Sequence, residues 1–184
     1  MKIGIFSRHR GTAPSFEELV APHLETLYRL AYRYTGTQVD AEDLVQDLLV
    51  KLFPRTSELN AVEQLQPWLI KALYHLYIDR VRKPKRNPFE TGHDDHIEQI
   101  VESDNNTMSP SRIALILDLK SALQHLDAEQ RTLIVMHDIE SYSLAELEKI
   151  LDTPIGTLKS RLHRSRAKLR KLLEDGTISL QAAC

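Results

Sequence analysis

The chain has 184 residues, 42% of them hydrophobic, and a formal net charge of −2 at pH 7. With only 6 glycines and 8 prolines, its composition favours a helical protein over a loop-rich β protein. The single cysteine, Cys184, excludes a disulfide framework or a cysteine-based zinc site within one chain, which fits the reducing cytoplasm. Because the apolar run at the N-terminus is too short for a signal peptide and no segment has the length of a membrane span, we expect a soluble cytoplasmic protein.

The first predicted helix runs from Phe16 to Tyr34, where apolar residues recur at helical spacing, and it ends near Gly36. Ser15 precedes it and Glu18 follows three residues later, which is the pattern of a capping box. Two further helices are predicted in this half of the chain. One begins at Asp40 and ends before a proline, and the other has Pro67 in its first turn and is stopped by a second proline. The polar segment between them, residues 54–66, is expected to be mostly loop.

The composition changes after the third helix. Residues 87–111 contain six acidic residues and no lysine or arginine, which is typical of a linker. Inside this segment His93 and His96 flank two aspartates. A weak metal site there would have to order a flexible segment, so we expect a solvated linker and no bound metal.

The second half of the chain is predicted to contain four more helices. The first of them spans Ile113–Leu126, and the second is capped by Asp127 and reaches Ile139. Ser143 caps the third, and Thr153 caps the fourth, which has Pro154 at its first helical position. The chain is therefore predicted to be all-α. It consists of two small helical domains, at residues 12–86 and 111–175, and an acidic flexible linker between them at residues 87–110. Short tails are expected at residues 1–11 and 176–184.

The last two helices have the form of a helix-turn-helix, because only a short turn separates them. The segment from Pro154 to Leu173 carries seven basic residues and no acidic one. One face of this basic helix is apolar, and the opposite face combines small residues with His163 and Arg164. Such a face can approach a DNA groove and reach base edges while flanking cations hold phosphates. A solvated charged helix would explain the charge, but not the preceding helix and the tight turn.

The second and third predicted helices carry charges of opposite sign to each other. Basic and aromatic residues are interleaved in the third helix, which suits a nucleic-acid strand with unstacked bases, although Trp68 is expected to pack partly in the core. The second helix begins with four acids, Asp40, Glu42, Asp43 and Asp47. The helix dipole accounts for acids near an N-terminus, but four of them also repel DNA and favour a basic protein partner.

Three blocks of the sequence resemble conserved regions two and four of extracytoplasmic-function (ECF) sigma factors, the small bacterial initiation factors of the sigma-70 family. The blocks are DAEDLVQDLLVKLF, QPWLIKALYHLYIDRVRK and SYSLAELEKILDTPIGTLKSRLHRSRAKLRKLL. Their order and spacing match over nearly the whole chain. The resemblance implies a protein that binds core RNA polymerase, recognises the −10 and −35 promoter elements and assists −10 melting. It also implies an anti-sigma factor as a further partner, and neither enzymatic activity nor a cofactor.

The resemblance further implies which residues meet each partner. The polymerase contacts would be Asp40, Glu42, Asp43, Gln46 and Asp47. A loop at residues 55–64 would capture a flipped base of the −10 element. The residues that meet the −10 strand would be Asn60, Lys71, Tyr74, His75, Arg80 and Arg82. The residues that meet the −35 element in the major groove would be Thr157, Lys159, Ser160, Arg161, His163 and Arg164.

Three positions depart from the family pattern or vary within it. His75 stands where the family usually has asparagine, and Tyr74 stands where it often has arginine. A histidine is larger than asparagine and can titrate, so the −10 base preference does not carry over from the family. His163 occupies a variable recognition position, so the −35 sequence does not carry over either.

Two other functions fit parts of the sequence. A stand-alone helix-turn-helix regulator would bind duplex DNA without polymerase and use its first domain for dimerisation or effector sensing. It leaves the acidic helix and the −10-like segment unexplained. A protein-interaction module would use the basic helix to bind an acidic partner, and equal, steeply salt-dependent affinity for any DNA would favour it. No nucleophile–base pair, glycine-rich phosphate loop or paired carboxylate set indicates catalysis.

Overall fold

A computed structural model describes residues 13–83 and 110–174 of the chain. Both segments consist of helices joined by short turns, and neither contains a strand. The all-α prediction is therefore confirmed for these two segments. The predicted linker, both predicted tails and the histidine pair at His93 and His96 lie outside the described residues.

Helices occupy most of both segments. The first contains α1 (Phe16–Val20), α2 (Leu24–Thr35), α3 (Gln38–Leu52), α4 (Thr56–Leu59) and α5 (Leu65–Arg82). Two 3₁₀ turns are also present, at Ala21–His23 and Phe53–Arg55. The second segment contains α6 (Pro110–Gln124), α7 (Ala128–Ile134), α8 (Leu144–Leu151) and α9 (Ile155–Glu174). A π-helical turn, Val135–Ile139, continues α7.

The predicted first helix is interrupted. Its capping box is confirmed, since the Glu18 N–H donates to Ser15 Oγ at 3.2 Å and the Ser15 N–H donates to Glu18 Oε2 at 2.8 Å. The helix then tightens into the 3₁₀ turn that contains Pro22. A proline ring has no N–H and clashes with the preceding turn, so one continuous α-helix cannot form through this position.

The second predicted helix begins before Asp40. Thr37 is its N-cap, because Thr37 Oγ1 accepts a hydrogen bond from the Asp40 N–H at 3.1 Å. The prediction that the helix begins at Asp40 is therefore wrong by two residues. The expected loop at residues 54–66 contains part of a 3₁₀ turn, α4 and the first two residues of α5, and Pro67 lies in the first turn of α5, as predicted.

The caps of α7 and α8 agree with the sequence. Asp127 caps α7 through its side chain, and Ser143 forms a capping box with Glu146. Between these helices the π-helical turn is closed by a hydrogen bond from the Glu140 N–H to the Val135 carbonyl at 2.9 Å. This turn directs the end of the α7 segment toward α2.

Apolar side chains from both halves form one core. In the first half, α2, α3 and α5 pack around Leu30, Leu44 and Leu73, each of which is fully buried. In the second half, α7, α8 and α9 enclose Met136 and Leu147. Buried side chains of the two halves belong to the same cluster, so the halves pack directly against each other.

Arg131 of α7 connects the two halves through its guanidinium. It donates to three carbonyls at the end of α6, those of Leu123 (2.8 Å), Gln124 (2.8 Å) and Leu126 (3.1 Å). It also donates to the Tyr34 carbonyl and to the Tyr77 hydroxyl, the latter at 3.0 Å. An arginine has five N–H donors, and here each finds an acceptor. Burial lowers the pKa of this guanidinium, and burial raises the pKa of Tyr77.

A buried carboxylate makes the second polar contact between the halves. The Glu140 side chain, at the end of the π-helical turn, is 8% exposed. It accepts hydrogen bonds from Arg29 Nε and Nη2, both at 3.1 Å, and from Arg33. A carboxylate this buried needs such partners, because an unpaired charge in the interior is strongly destabilising.

We expect Arg131→Lys to lower the free energy of unfolding by about 3 kcal/mol, because one ammonium cannot reach five acceptors and leaves buried carbonyls unpaired. Urea unfolding followed by circular dichroism measures the change. The control is the same exchange at the exposed Arg170, which should stay within about 0.5 kcal/mol of wild type. Equal stability of the two variants would contradict the role given to Arg131.

Gly36 provides a second test of how the halves meet. It ends α2 with φ of +90°, and a Cβ at this position would meet the side-chain amide of Gln124 from α6. We expect Gly36→Ala to cost about 1–2 kcal/mol of stability, because a side chain is disfavoured in the left-handed region.

The matched control for Gly36→Ala is Gly156→Ala. Gly156 lies in α9, where an added Cβ meets nothing within 4 Å. Alanine is the better helix former, so this variant should be as stable as wild type or more stable by up to about 1 kcal/mol. An equal loss of stability in both variants, measured by urea unfolding, would rule out the backbone explanation at Gly36.

Candidate functional site

The predicted helix-turn-helix is formed by α8, the turn at residues 152–154 and α9. Asp152 ends α8 in the left-handed conformation, with φ of 48°, and this reverses the chain. The Thr153 hydroxyl donates to the Leu151 carbonyl at 3.0 Å and α9 begins at Ile155, so the predictions that Thr153 is its N-cap and Pro154 its first residue are wrong. Instead, the Ile155 N–H donates to Glu148 Oε1 at 3.0 Å. A side chain of α8 therefore fixes the start of α9.

The faces of α9 are arranged as the helical projection predicted. Leu158 and Leu162 are buried, and Ile155, Leu169 and Leu172 are partly buried. The opposite face is exposed and consists of Gly156, Ser160, His163, Arg164 and Ala167. Because three of these five residues are small, the backbone of α9 can approach another surface closely.

Most residues predicted to meet the −35 element are accessible. The exposed ones are Thr157, Lys159, Ser160, His163 and Arg164. The exception is Arg161, which is partly buried and whose Nη1 lies 3.0 Å from Glu129 Oε2. Arg164 Nε makes only a long contact, 3.3 Å, with a carbonyl of its own helix, so its guanidinium can turn outward.

Arg166, another cation on α9, is bound within its own domain. Its guanidinium pairs with the carboxylate of Asp138 from the π-helical turn. The hydrogen bond that Arg166 donates to Asp138 raises the pKa of Arg166. Arg166 therefore fixes α9 to the π-helical turn and is less available than Arg164.

The residues predicted to meet the −10 element do not form one open surface. Two cations on α5 pair with acids of the second half: Lys71 Nζ lies 2.6 Å from Asp152 Oδ2, and Arg82 Nη2 lies 2.8 Å from Glu129 Oε1. The hydrogen bond from Lys71 lowers the pKa of Asp152. Tyr74 lies between these pairs on α5, and partial burial raises its pKa.

The remaining −10 predictions differ in their surroundings. Arg80 Nη2 lies 2.7 Å from Asp47 Oδ2 on α3, so a predicted DNA contact is paired with a predicted polymerase contact. His75 is exposed, with its ring centroid 5.3 Å from that of Tyr74. Asn60 is exposed just after α4, and its side-chain amide donates to the Thr56 carbonyl at 3.1 Å.

The predicted base-capturing loop is more ordered than the sequence suggested. Arg55 Nη2 lies 2.6 Å from Glu58 Oε2, and the same guanidinium lies 5.9 Å from the ring centroid of Trp68. Trp68 is partly buried against the core, as expected. Its ring therefore lies beside Arg55 at the start of the loop at residues 55–64.

The predicted polymerase contacts form one surface on α3. All five are exposed, namely Asp40, Glu42, Asp43, Gln46 and Asp47. Two apolar residues flank them, Val39 at 59% exposure and Val50 at 73%. Neither valine was predicted from the sequence to belong to this surface. Exposed apolar residues that do not fit the buried stripe of a helix were the signal that could have identified them.

Two acids of the second half that were not predicted from the sequence pair with predicted DNA contacts, namely Glu129 and Asp152. Glu129 stands in the first turn of α7, where the helix dipole is a sufficient reason for an acid. Asp152 stands in a turn, where aspartate is common. Neither position carries a local pattern that would indicate its distant partner.

Two negative findings apply to residues 13–83 and 110–174. These segments contain no group of three or more His, Cys, Asp or Glu side chains arranged to hold a metal ion. In the same part of the chain, every helix is too short or too polar to cross a bilayer.

Comparison with known proteins gives two family matches. The model for Sigma-70 region 2 matches residues 19–87, and that for Sigma-70, region 4 matches residues 108–169. The ECF RNA polymerase sigma factor SigE of Mycolicibacterium smegmatis is 36% identical, over 87% of this chain and 62% of that protein. The chain thus spans less than two thirds of that relative. The RNA polymerase sigma-E factor of Streptomyces avermitilis is 30% identical, over 94% of this chain and 92% of that protein.

A solved structure is also similar to the chain. It is the co-crystal structure of the sigma factor RpoE in complex with the anti-sigma factor NepR from Bartonella quintana. The alignment has a TM-score of 0.61 and 27% sequence identity, and it covers 86% of this chain and 96% of that one. The likeness therefore extends over both halves of the chain.

Proposed function

The chain belongs to the ECF sigma factors of the sigma-70 family, and on this premise we propose that it binds core RNA polymerase and directs promoter-specific transcription initiation. The observation that carries the proposal is the separation of charge between two exposed helical faces. The face of α9 is basic and follows a short turn, while the face of α3 is acidic. Opposite charges on separate helices suit two partners, a nucleic acid and a basic protein surface.

Each half of the chain has its own task in this proposal. The region 2 domain, residues 12–86, binds the polymerase and the −10 element, and the region 4 domain, residues 111–175, binds the −35 element. Residues 87–110 link the domains, and residues 1–11 and 176–184 are tails. The first domain uses the acids of α3 for the polymerase and the cations of α5 for the −10 strand. The second domain inserts α9 into the major groove, where Arg164 and His163 reach base edges.

The proposal includes no covalent chemistry by this chain. The protein selects the promoter and helps to separate the strands at the −10 element, and the polymerase synthesises RNA. The polymerase and the bacterial chromosome share the cytoplasm, so the protein acts there. Because a similar solved sigma factor is bound to an anti-sigma factor, we also propose an anti-sigma factor as a partner.

The stand-alone regulator is not favoured over this function. It would require only the helix-turn-helix of the second half. The match to Sigma-70 region 2 covers α2, α3 and α5, and the exposed acids of α3 then have a partner. Transcription with purified bacterial core polymerase on pooled genomic fragments, with and without the protein, tests the choice. Discrete new start sites with shared upstream elements would support the sigma factor. Retention of specific duplexes without new start sites would favour the regulator.

We expect Arg164→Ala to lower transcription from a promoter found in that assay by about tenfold or more, since a base contact of this kind contributes about 1–3 kcal/mol. Binding to core polymerase should be unchanged. The matched control is Arg170→Ala, an exposed cation nearer the end of the same helix, which should transcribe within about twofold of wild type. Loss of polymerase binding by Arg164→Ala would contradict the assignment of roles.

We expect Asp43→Lys to weaken binding to core polymerase by about tenfold, because it places a cation in the middle of an acidic surface that meets basic residues. Competition against a labelled sigma factor for core enzyme measures the change. Asp43 is preferable to Asp47, whose carboxylate also pairs with Arg80. The control is Glu17→Lys, an exposed acid on α1, which should compete like wild type. Unimpaired competition by Asp43→Lys would remove the acidic helix from the interface.

A further inference from the structure

We propose that Glu129 is an internal competitor for DNA that neutralises one cation of each DNA-binding surface at once. Its two carboxylate oxygens have different partners. Oε1 lies 2.8 Å from Arg82 Nη2 on α5, and Oε2 lies 3.0 Å from Arg161 Nη1 on α9. A carboxylate held between two guanidinium groups occupies the position that the oxygens of a DNA phosphate would take.

The contact links surfaces that have separate tasks in the proposed function. Arg82 belongs to the −10 surface of the first half, and Arg161 belongs to the −35 surface of the second half. Lys71 of the −10 surface is engaged in the same manner, 2.6 Å from Asp152 of the second half. When the halves are packed together, acids of the second half therefore pair with Lys71 and Arg82 of α5. One of these acids, Glu129, also pairs with Arg161 of α9.

Closure of the two halves places Glu129 between its partners. The contacts of Arg131 and Glu140 bring α7 against α2 and α5. Glu129 stands two residues before Arg131, in the first turn of α7. Separation of the halves would break its contact with Arg82, and DNA that reaches Arg161 would have to displace the same carboxylate. Separation of the halves therefore frees Arg82, while Arg161, which lies in the same half as Glu129, becomes free when DNA displaces the carboxylate.

The ion pairs are partly solvated, which suits a reversible contact. The side chains of Arg82, Arg161 and Glu129 are 68%, 42% and 38% exposed. Pairs with this exposure are weak and are screened by salt. Phosphates of a DNA strand can displace such a carboxylate without an extended rearrangement of the core.

The first experiment measures binding of the free full-length chain to a fluorescent single-stranded DNA 20-mer of arbitrary sequence. We expect Glu129→Gln to raise the affinity about fivefold at low salt, because two cations become available for phosphates. The logarithm of the affinity should also fall more steeply with the logarithm of salt concentration, by about 0.7 for each added phosphate contact. Asp118→Asn on α6 is the control, since it removes the same charge from the same half without touching the predicted DNA-binding cations among the described residues.

The second experiment follows the distance between the halves. Donor and acceptor dyes are attached to Val50→Cys and Lys171→Cys, both exposed positions, in a Cys184→Ser background. Addition of the 20-mer should reduce energy transfer, because DNA binds when the halves are apart. Less DNA should be needed with Glu129→Gln than with Asp118→Asn. Asp152→Asn, which frees Lys71, gives an independent second variant, and circular dichroism verifies that each variant folds.

Equal DNA affinity of Glu129→Gln and Asp118→Asn would overturn the proposal, and so would DNA binding without loss of energy transfer. The inference rests on the proposed function in taking Arg82 and Arg161 as DNA contacts. The inference and the proposed function can nevertheless fail separately. Failure of the sigma-factor assignment would appear as the absence of new start sites with core polymerase. Neither test of Glu129 uses polymerase or a promoter.

Discussion

The packing of the two halves depends on one partly buried guanidinium. Arg131 donates hydrogen bonds to carbonyls at the end of α6. The same planar guanidinium donates to the end of α2 and to the hydroxyl of Tyr77. A helix terminus in the interior needs partners for its last carbonyls, and here a side chain supplies them together with the contact between halves. The same side chain therefore completes the α6 terminus and contacts the first half.

The opposite charges that suit external partners also suit each other within the chain. Cations of α5 and α9 face acids of α7 and of the turn after α8, and a cation of α5 faces an acid of α3. A chain with a net charge near zero but with separated charge can use the same groups in two sets of contacts. The buried pair of Glu140 with two arginines differs from the others, because its loss would leave an uncompensated charge in the interior.

The local features of the fold could be predicted because their causes lie within a few residues. The capping box of Ser15, the N-cap Ser143 and the two faces of α9 are examples. The predicted start of a helix was wrong where two neighbouring residues could each cap it, as at Thr37 and Asp40. It was also wrong where a residue of another helix takes the place of the expected cap, as Glu148 does at α9. Contacts between the halves had no local signal, since Arg29 and Glu140 are 111 residues apart. The sequence could thus nominate site residues by type and face, but not reveal which of them are already paired.

The π-helical turn at Val135–Ile139 makes the arrangement sensitive to chain length. A turn of this kind holds one residue more than an α-helical turn, and it sends Asp138 toward its own domain and Glu140 toward the other. Deletion of one residue here would restore α-helical register and rotate the following residues by about 100° around the axis of α7. Glu140 would then leave Arg29 and Arg33. In related sequences, a single deletion at this turn would remove the Glu140 contact between the domains although Glu140, Arg29 and Arg33 are all still present.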